Sequence, residues 1–160
     1  MAGGERERRA ARAPRAVEPA LRLPEGYRLV APRDAQQPFG SALGWSLADY
    51  VRAAEEEGNV VLVREAEGRV VGILWLQPRV DHLLVEHLAR DDRLSWPGLG
   101  SEMLLLAETL AARLGVAEVR LDALDEPPLV AWYASKGYEP RGARVEAGGL
   151  RLQPMRKRLT

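Results

Sequence analysis

From Gly26 onward the chain switches between two spacings of apolar residues, one of period two and one of period 3.6. Residues 27–30 read as a short strand that Pro32 ends. Asp34 is placed to cap the first of two short helical pieces predicted between residues 35 and 57. In the second piece Leu47, Tyr50, Val51 and Ala54 recur at helical spacing, with Ser46 as N-cap and Gly58 as stop. Residues 59–64 (NVVLVR) and 69–76 (RVVGILWL) are β-branched and apolar, and the turn between them ends in Gly68. Residues 81–90 (DHLLVEHLAR) read as a third strand, although their composition also suits a helix.

Between Gly98 and Leu114, an apolar stripe of Leu99, Met103, Leu106, Ala107, Leu110 and Leu114 predicts an amphipathic helix that Gly115 closes. Residues 119–121 form a short buried strand. Pro127 and Pro128 suit the first turn of a helix completed by residues 129–136 and stopped by Gly137. Two more strands are predicted around residues 138–141 and 150–156. Three antiparallel strands in sequence, without regular βα alternation, exclude a doubly wound sheet. The expected class is α+β, with a mixed, mostly antiparallel sheet of about seven strands flanked by about four helices.

Residues 1–24 stand apart. Arg6, Arg8, Arg9, Arg12 and Arg15 are interleaved with Glu5, Glu7 and Glu18, and few large apolar side chains accompany them. A disordered tail is expected there, followed by a single domain over residues 25–160. The whole chain has 160 residues with 23 basic and 23 acidic side chains. Zero net charge argues against a protein that grips nucleic-acid backbone. The absence of cysteine excludes disulfides, thiolate nucleophiles and Cys-based metal motifs. With His82 and His87 the only histidines, no metal site is expected. No apolar run approaches the roughly 20 residues that span a bilayer, so no membrane partner is expected and a cytoplasmic location is the default.

Chemistry concentrates in residues 88–104, LARDDRLSWPGLGSEML. A strand ends, glycines recur in Gly98-Leu99-Gly100-Ser101, and a strong helix begins at once. Glycines let backbone approach a ligand, and the unpaired N–H groups of a helix start favour an anion such as a pyrophosphate. A tight strand-to-helix turn is the alternative reading of the same residues. The segment resembles the GNAT N-acetyltransferase pattern L-A-V-x-P-x-x-R-G-x-G-I-G-x-x-L-L, with Leu88-Ala89 at the strand end and Gly98 and Gly100 on paired glycines. Residues 129–138 (LVAWYASKGY) resemble the same superfamily's A-x-x-F/Y-Y-x-x-x-G-F element, and residues 155–159 resemble its last strand. The likeness extends over residues 26–159.

The resemblance implies acetyl-CoA, or another acyl-CoA, as co-substrate held between the strand ending near Arg90 and the strand at residues 119–121, with Leu88, Ala89, Arg90, Gly98, Leu99, Gly100 and Ser101 around it. It implies a primary amine acceptor, small molecule or protein, approaching near residues 35–50, with direct attack and no covalent enzyme intermediate. Tyr133 falls on the family's general-acid position, four residues before Gly137. Glu86 is the first candidate for the base and His82 the second; strict alternation puts both on one face with Leu84 and Leu88, and His87 on the other. A homodimer is compatible with the resemblance.

Three departures bear on the cofactor. Ser95 stands where the family has Arg or Gln, Trp96 where it has its first Gly, and Pro97 offers no N–H. Glu126 occupies a position that commonly holds an Asn touching pantetheine. Arg90 replaces a usual Val. The altered loop keeps a second reading open, a GNAT-fold binding or regulatory module with weakened catalysis. A toxin-like enzyme acting on aminoacyl-tRNA is a third, disfavoured by the neutral charge.

Overall fold

The computed structural model describes residues 21–160, so the sequence expectation for residues 1–20 lies outside the described residues. Residues 21–24, assigned to the tail on composition, pack on the domain instead. Leu21 is 1% exposed, and Arg113 Nη1 donates to its carbonyl at 2.5 Å. Two aliphatic side chains, Leu21 and Leu23, and two carbonyls captured by Arg113, those of Leu21 and Arg22, hold this stretch down.

The described residues form eight strands, three α-helices and one 3₁₀ turn. The strands are β1 (Tyr27–Leu29), β2 (Val60–Ala66), β3 (Arg69–Pro78), β4 (His82–Arg90), β5 (Glu118–Leu124), β6 (Glu139–Pro140), β7 (Val145–Ala147) and β8 (Leu150–Arg158). The helices are α1 (Leu47–Ala54), α2 (Leu99–Leu114) and α3 (Pro127–Ser135). The expected first helical piece is the 3₁₀ turn Pro32–Gln36. Asp34 lies within it and accepts from the Ala31 N–H at 2.7 Å and from Arg28 Nη1 at 2.8 Å. Strand β7 was not anticipated: Gly148 and Gly149, with φ of 58° and 78°, turn it back onto β8.

The sheet order is β1-β2-β3-β4-β5-β8-β6, with β7 on β8, and only β4–β5 is parallel. Strands β2 and β3 are buried on both faces, which explains their unbroken apolar runs. Leu62, Leu74 and Leu76 face α2 through Leu104, Ala107 and Leu110. Val61, Val63, Ile73 and Trp75 face α1 through Leu47, Tyr50 and Ala53. Ser46 caps α1 as its sequence position suggests, accepting from the Asp49 N–H at 3.2 Å.

Two local features open the sheet. The β4–β5 ladder runs from His82↔Glu118 to Val85↔Leu121 and stops there. Beyond it β4 stays on β3, with Arg90 opposite Gly72, and β5 stays on β8, with Leu124 opposite Leu152. Each strand keeps its outer neighbour, so a wedge opens between residues 86–90 and 122–124. At its root is a bulge: Trp75 faces His87 while Leu76 faces Val85, which leaves Glu86 as the extra residue. The bulge corrects the parity expected for β4. Leu88 packs with Leu83 and Val85 on the α2 side, while His87 turns to the α1 side.

Candidate active site

The wedge is a cleft of about 450 Å³. Its walls come from β4, from β5 at residues 121–124, from the start of α2, from α3 through Leu129, Trp132 and Tyr133, and from residues 41–43. Breaking a parallel ladder leaves the facing backbone edges without sheet partners, and such edges seek amide groups from elsewhere.

At the α2 end, Gly98 has φ +85°, a left-handed conformation that a side chain would strain. This turn lets the helix start abruptly. The Leu99 N–H returns to the Trp96 carbonyl at 3.3 Å and the Glu102 N–H to Gly98 at 2.9 Å. Among the described residues no protein acceptor takes the N–H groups of Gly100 and Ser101, which border the cleft. Against Gly100 lies the Trp132 ring, whose Cζ2 is 3.5 Å from where a β-carbon would stand. Free N–H groups, a bare glycine surface and an open strand edge together fit an extended ligand with phosphate and amide groups.

The altered loop residues do not obstruct this mouth. Trp96 packs beside Leu99 and Met103, under the Arg64 guanidinium at 5.0 Å from its ring centre. Arg64 Nε in turn donates to Glu102 Oε2 at 2.9 Å, and the Tyr27 hydroxyl donates to the same oxygen at 2.5 Å. The Trp96 indole thus packs with residues of β1, β2 and α2 and is not among the residues that line the cleft.

Of the residues singled out from sequence, Glu86, Leu88, Ala89, Arg90, Gly98, Gly100, Ser101 and Tyr133 line the cleft. Four do not. The Leu99 side chain is buried in the core, and Ser95 lies off the lining. Glu126 caps α3 with its carbonyl, which accepts from Leu129 and Val130, both at 3.0 Å, while its side chain stays exposed. His82 sits at the opposite end of β4, four residues or about 13 Å from Glu86, with Nδ1 2.7 Å from Asp81 Oδ1.

Tyr133 is 8% exposed, edge-on to Trp132 and Tyr138, and burial pushes its phenol up to about 12. It therefore holds its proton throughout the neutral range. Burial and the neighbouring Asp122 carboxylate raise the Glu86 carboxyl above its ordinary value.

His87 escaped the sequence reading. Its ring is wrapped by Trp45, Trp75 and Tyr50 at centroid distances of 4.7, 4.9 and 5.5 Å, and Nδ1 is 2.9 Å from the Tyr50 hydroxyl. Burial lowers its pKa to about 4, so the ring is neutral at neutral pH. It lines the cleft beside residues 41–43. The bulge that turns it there leaves no signal in a period-two pattern.

The rim opposite α2 is fastened through Asp91. This carboxylate is 1% exposed, accepts from Arg93 Nη2 at 2.8 Å and Arg69 Nη2 at 3.2 Å, and has its pKa held down to about 2, chiefly by Arg93. Arg93 also donates to the Pro38 carbonyl, and the Asp92 N–H to that of Gly40 at 2.7 Å. Among the described residues no cluster of three acidic or histidine side chains is arranged to hold a metal ion, and no helix is long and apolar enough to cross a membrane.

The acetyltransferase (GNAT) domain family matches residues 30–159. Solved structures share the fold. Ard1 from Thermoplasma volcanium is 19% identical with a TM-score of 0.64, covering 84% of this chain and 97% of its own. The PaiA N-acetyltransferase of Thermoplasma acidophilum, in complex with coenzyme A, is 19% identical at TM-score 0.54, covering 71% and 69%. The IAA acetyltransferase of Bacillus cereus is 17% identical at 0.56, covering 71% and 83%. No curated protein sequence matches the chain.

Proposed function

The chain belongs to the GNAT acetyltransferase family, and from that premise we propose that it moves an acetyl group from acetyl-CoA to a primary amine inside the β4–β5 wedge. The observation that carries this reading is the coincidence, around one cleft, of an interrupted parallel ladder, two free N–H groups at the start of α2 and the Tyr133 phenol. Bound acetyl-CoA supplies an activated thioester.

The protein's part is positioning and proton transfer. The N–H groups of Gly100 and Ser101 bind the diphosphate, aided by the positive end of α2. The open edges of residues 86–90 and 122–124 hold the pantetheine amides. Glu86, set at the bulge with a raised pKa, accepts the proton that the amine sheds, through a water molecule. Tyr133 Oη gives its proton to the departing thiolate, and solvent restores it.

The weakened-module reading rests on Ser95, Trp96 and Pro97. All three lie off the cleft lining, and Trp96 is drawn to Arg64, which favours an intact cofactor mouth. Isothermal titration with acetyl-CoA tests the choice. Micromolar binding, followed by thiol release in the presence of amines, supports transfer. No binding up to millimolar concentration moves the protein to the module class.

A further inference from the structure

A buried neighbour decides which nitrogen of His87 carries the hydrogen, and this bears on how the cleft treats a thioester, an inference that rests on the transfer reading above. Tyr50 is 0% exposed, and among the described residues its hydroxyl makes one hydrogen bond, to His87 Nδ1 at 2.9 Å. A phenol has a single hydrogen to give, and a buried donor left without an acceptor is costly. Ser41 also acts on the phenol, in the sense of a donor, lowering a pKa that burial raises. The Tyr50 hydroxyl therefore donates to Nδ1, and the ring, neutral through burial, holds its hydrogen on Nε2. Nε2 has no protein partner among the described residues and is not one of their buried orphan atoms. It is thus open to solvent, on a residue that lines the cleft.

The cleft runs through the sheet, and its two faces present different donors. On the α2 side are the N–H groups of Gly100 and Ser101, the Trp132 ring against Gly100, and the Tyr133 phenol, part of that side's core. Arg90 belongs to the same side. It stands opposite Gly72, where a β-carbon would be 2.8 Å from Met103 Sδ of α2, and opposite residues share a face. It is also three residues, about 10 Å, along β4 from His87. Arg93 and Arg79 lie outside the lining and donate to Asp91 and Gln77. On the α1 side His87 stands with residues 41–43, Leu43 being packed on the α1 core.

An attacking amine keeps its lone pair for carbon and otherwise shows only N–H groups, so a donor has nothing to offer it. A thioester carbonyl oxygen is an acceptor and gains charge as nitrogen attacks. We propose that His87 is a catalytic residue whose Nε2–H holds the thioester carbonyl oxygen from the α1 side, while Tyr133 serves the sulfur from the α2 side. As the N–C bond forms, Nε2–H stabilises the electron pair displaced onto the oxygen and keeps its own proton. As that pair returns, the C–S bond breaks and the sulfur takes the proton of Tyr133, while the amine's proton passes through water to Glu86. An uncharged donor polarises the carbonyl without repelling a cationic amine on its way in.

Two measurements on the full-length protein test this. ¹⁵N NMR of the ligand-free protein, whose only other imidazole is His82, reads which nitrogen of His87 bears the hydrogen, and Nε2 is expected. Infrared difference spectra between unlabelled and carbonyl-¹³C acetyl-CoA read the bound thioester. Its carbonyl stretch should lie lower in wild type than in His87→Asn, whose amide oxygen still accepts from Tyr50 but which has nothing at the place of Nε2. His87→Gln, which sets an N–H near that place, should restore much of the shift. A bare Nε2 overturns the proposal. So does one carbonyl frequency in wild type and both variants, which would assign the oxygen to backbone amides. Failure of the wild type to bind acetyl-CoA in titration instead overturns the transfer reading on which the proposal stands.

Discussion

Tyr50 and His87 join α1 to β4 through a single hydrogen bond, 2.9 Å from the phenol oxygen to Nδ1, inside a shell of tryptophan rings. The bond leaves Nε2 as the ring nitrogen without a protein partner, on a residue that lines the cleft. It exists because the bulge at Glu86 shifts the phase of β4 by one residue.

This burial has a pH signature. The folded-state pKa of His87, about 4, lies below its ordinary 6.5, so the unfolded chain binds more protons between those values. Stability from the neutral ring is complete above pH 6.5 and declines as pH falls towards 4. Unfolding by urea at several pH values, compared between wild type and His87→Phe, should show the variant losing less stability over that window. Parallel curves would mean the imidazole titrates normally.

Tyr133→Phe removes a hydroxyl that has no protein partner among the described residues, so folding should change little. A positioned acid contributes roughly 10²–10⁴-fold to rate. Turnover is expected to fall at least tenfold while acetyl-CoA affinity, read by titration, stays within a factor of two or so. Unchanged turnover would take the phenol out of the mechanism.

Gly100→Val sets branched carbons against Trp132, whose ring is already at contact distance from a single β-carbon. It also roughens the surface beside the free N–H groups. Losing one charge-assisted hydrogen bond costs about 1.5–3 kcal/mol, so acetyl-CoA affinity should drop about 10–100-fold. Thermal unfolding serves as the control, with a small shift expected. Retained affinity would make Gly98–Ser101 a turn and nothing more.

Asp91→Asn keeps the shape of a buried side chain and removes the charge that Arg69 and Arg93 share. The wild-type carboxyl, held at about 2 instead of 3.8, contributes about 2 kcal/mol that is present above the ordinary carboxylate range and lost as pH falls through it towards 2. Calorimetry should show the variant melting several degrees lower at pH 7, with the difference vanishing near pH 2. Since Arg93 also holds Pro38, KM for the amine should rise more than KM for acetyl-CoA. Equal shifts in both would argue that Asp91 supports the fold without placing the rim.

Much of this protein was readable from its residues in order. The stripe from Leu99 to Leu110 makes α2 amphipathic wherever it lies, and Gly98 and Gly115, both left-handed, bound it. The doubly buried runs in β2 and β3, the paired glycines and the LVAWYASKGY segment are likewise local, so the α+β class, the mixed sheet and the family resemblance followed from them, while the order of strands across the sheet did not. Strand β5 was underestimated because three buried residues signal a strand, while its full length comes from pairing with β8.

The site needed three dimensions for a different reason. A bulge is a mismatch between two strands, and neither strand carries it alone, so the positions of Glu86 and His87 were invisible to a period-two count. Trp96 departs from the family's glycine, and only the packing of Arg64 from β2 and Glu102 from α2 shows where its ring goes. The wedge itself arises because β4 and β5 each keep an outer partner and release each other. Local sequence set which residues could serve, and the competition between strand neighbours decided which of them share a cleft.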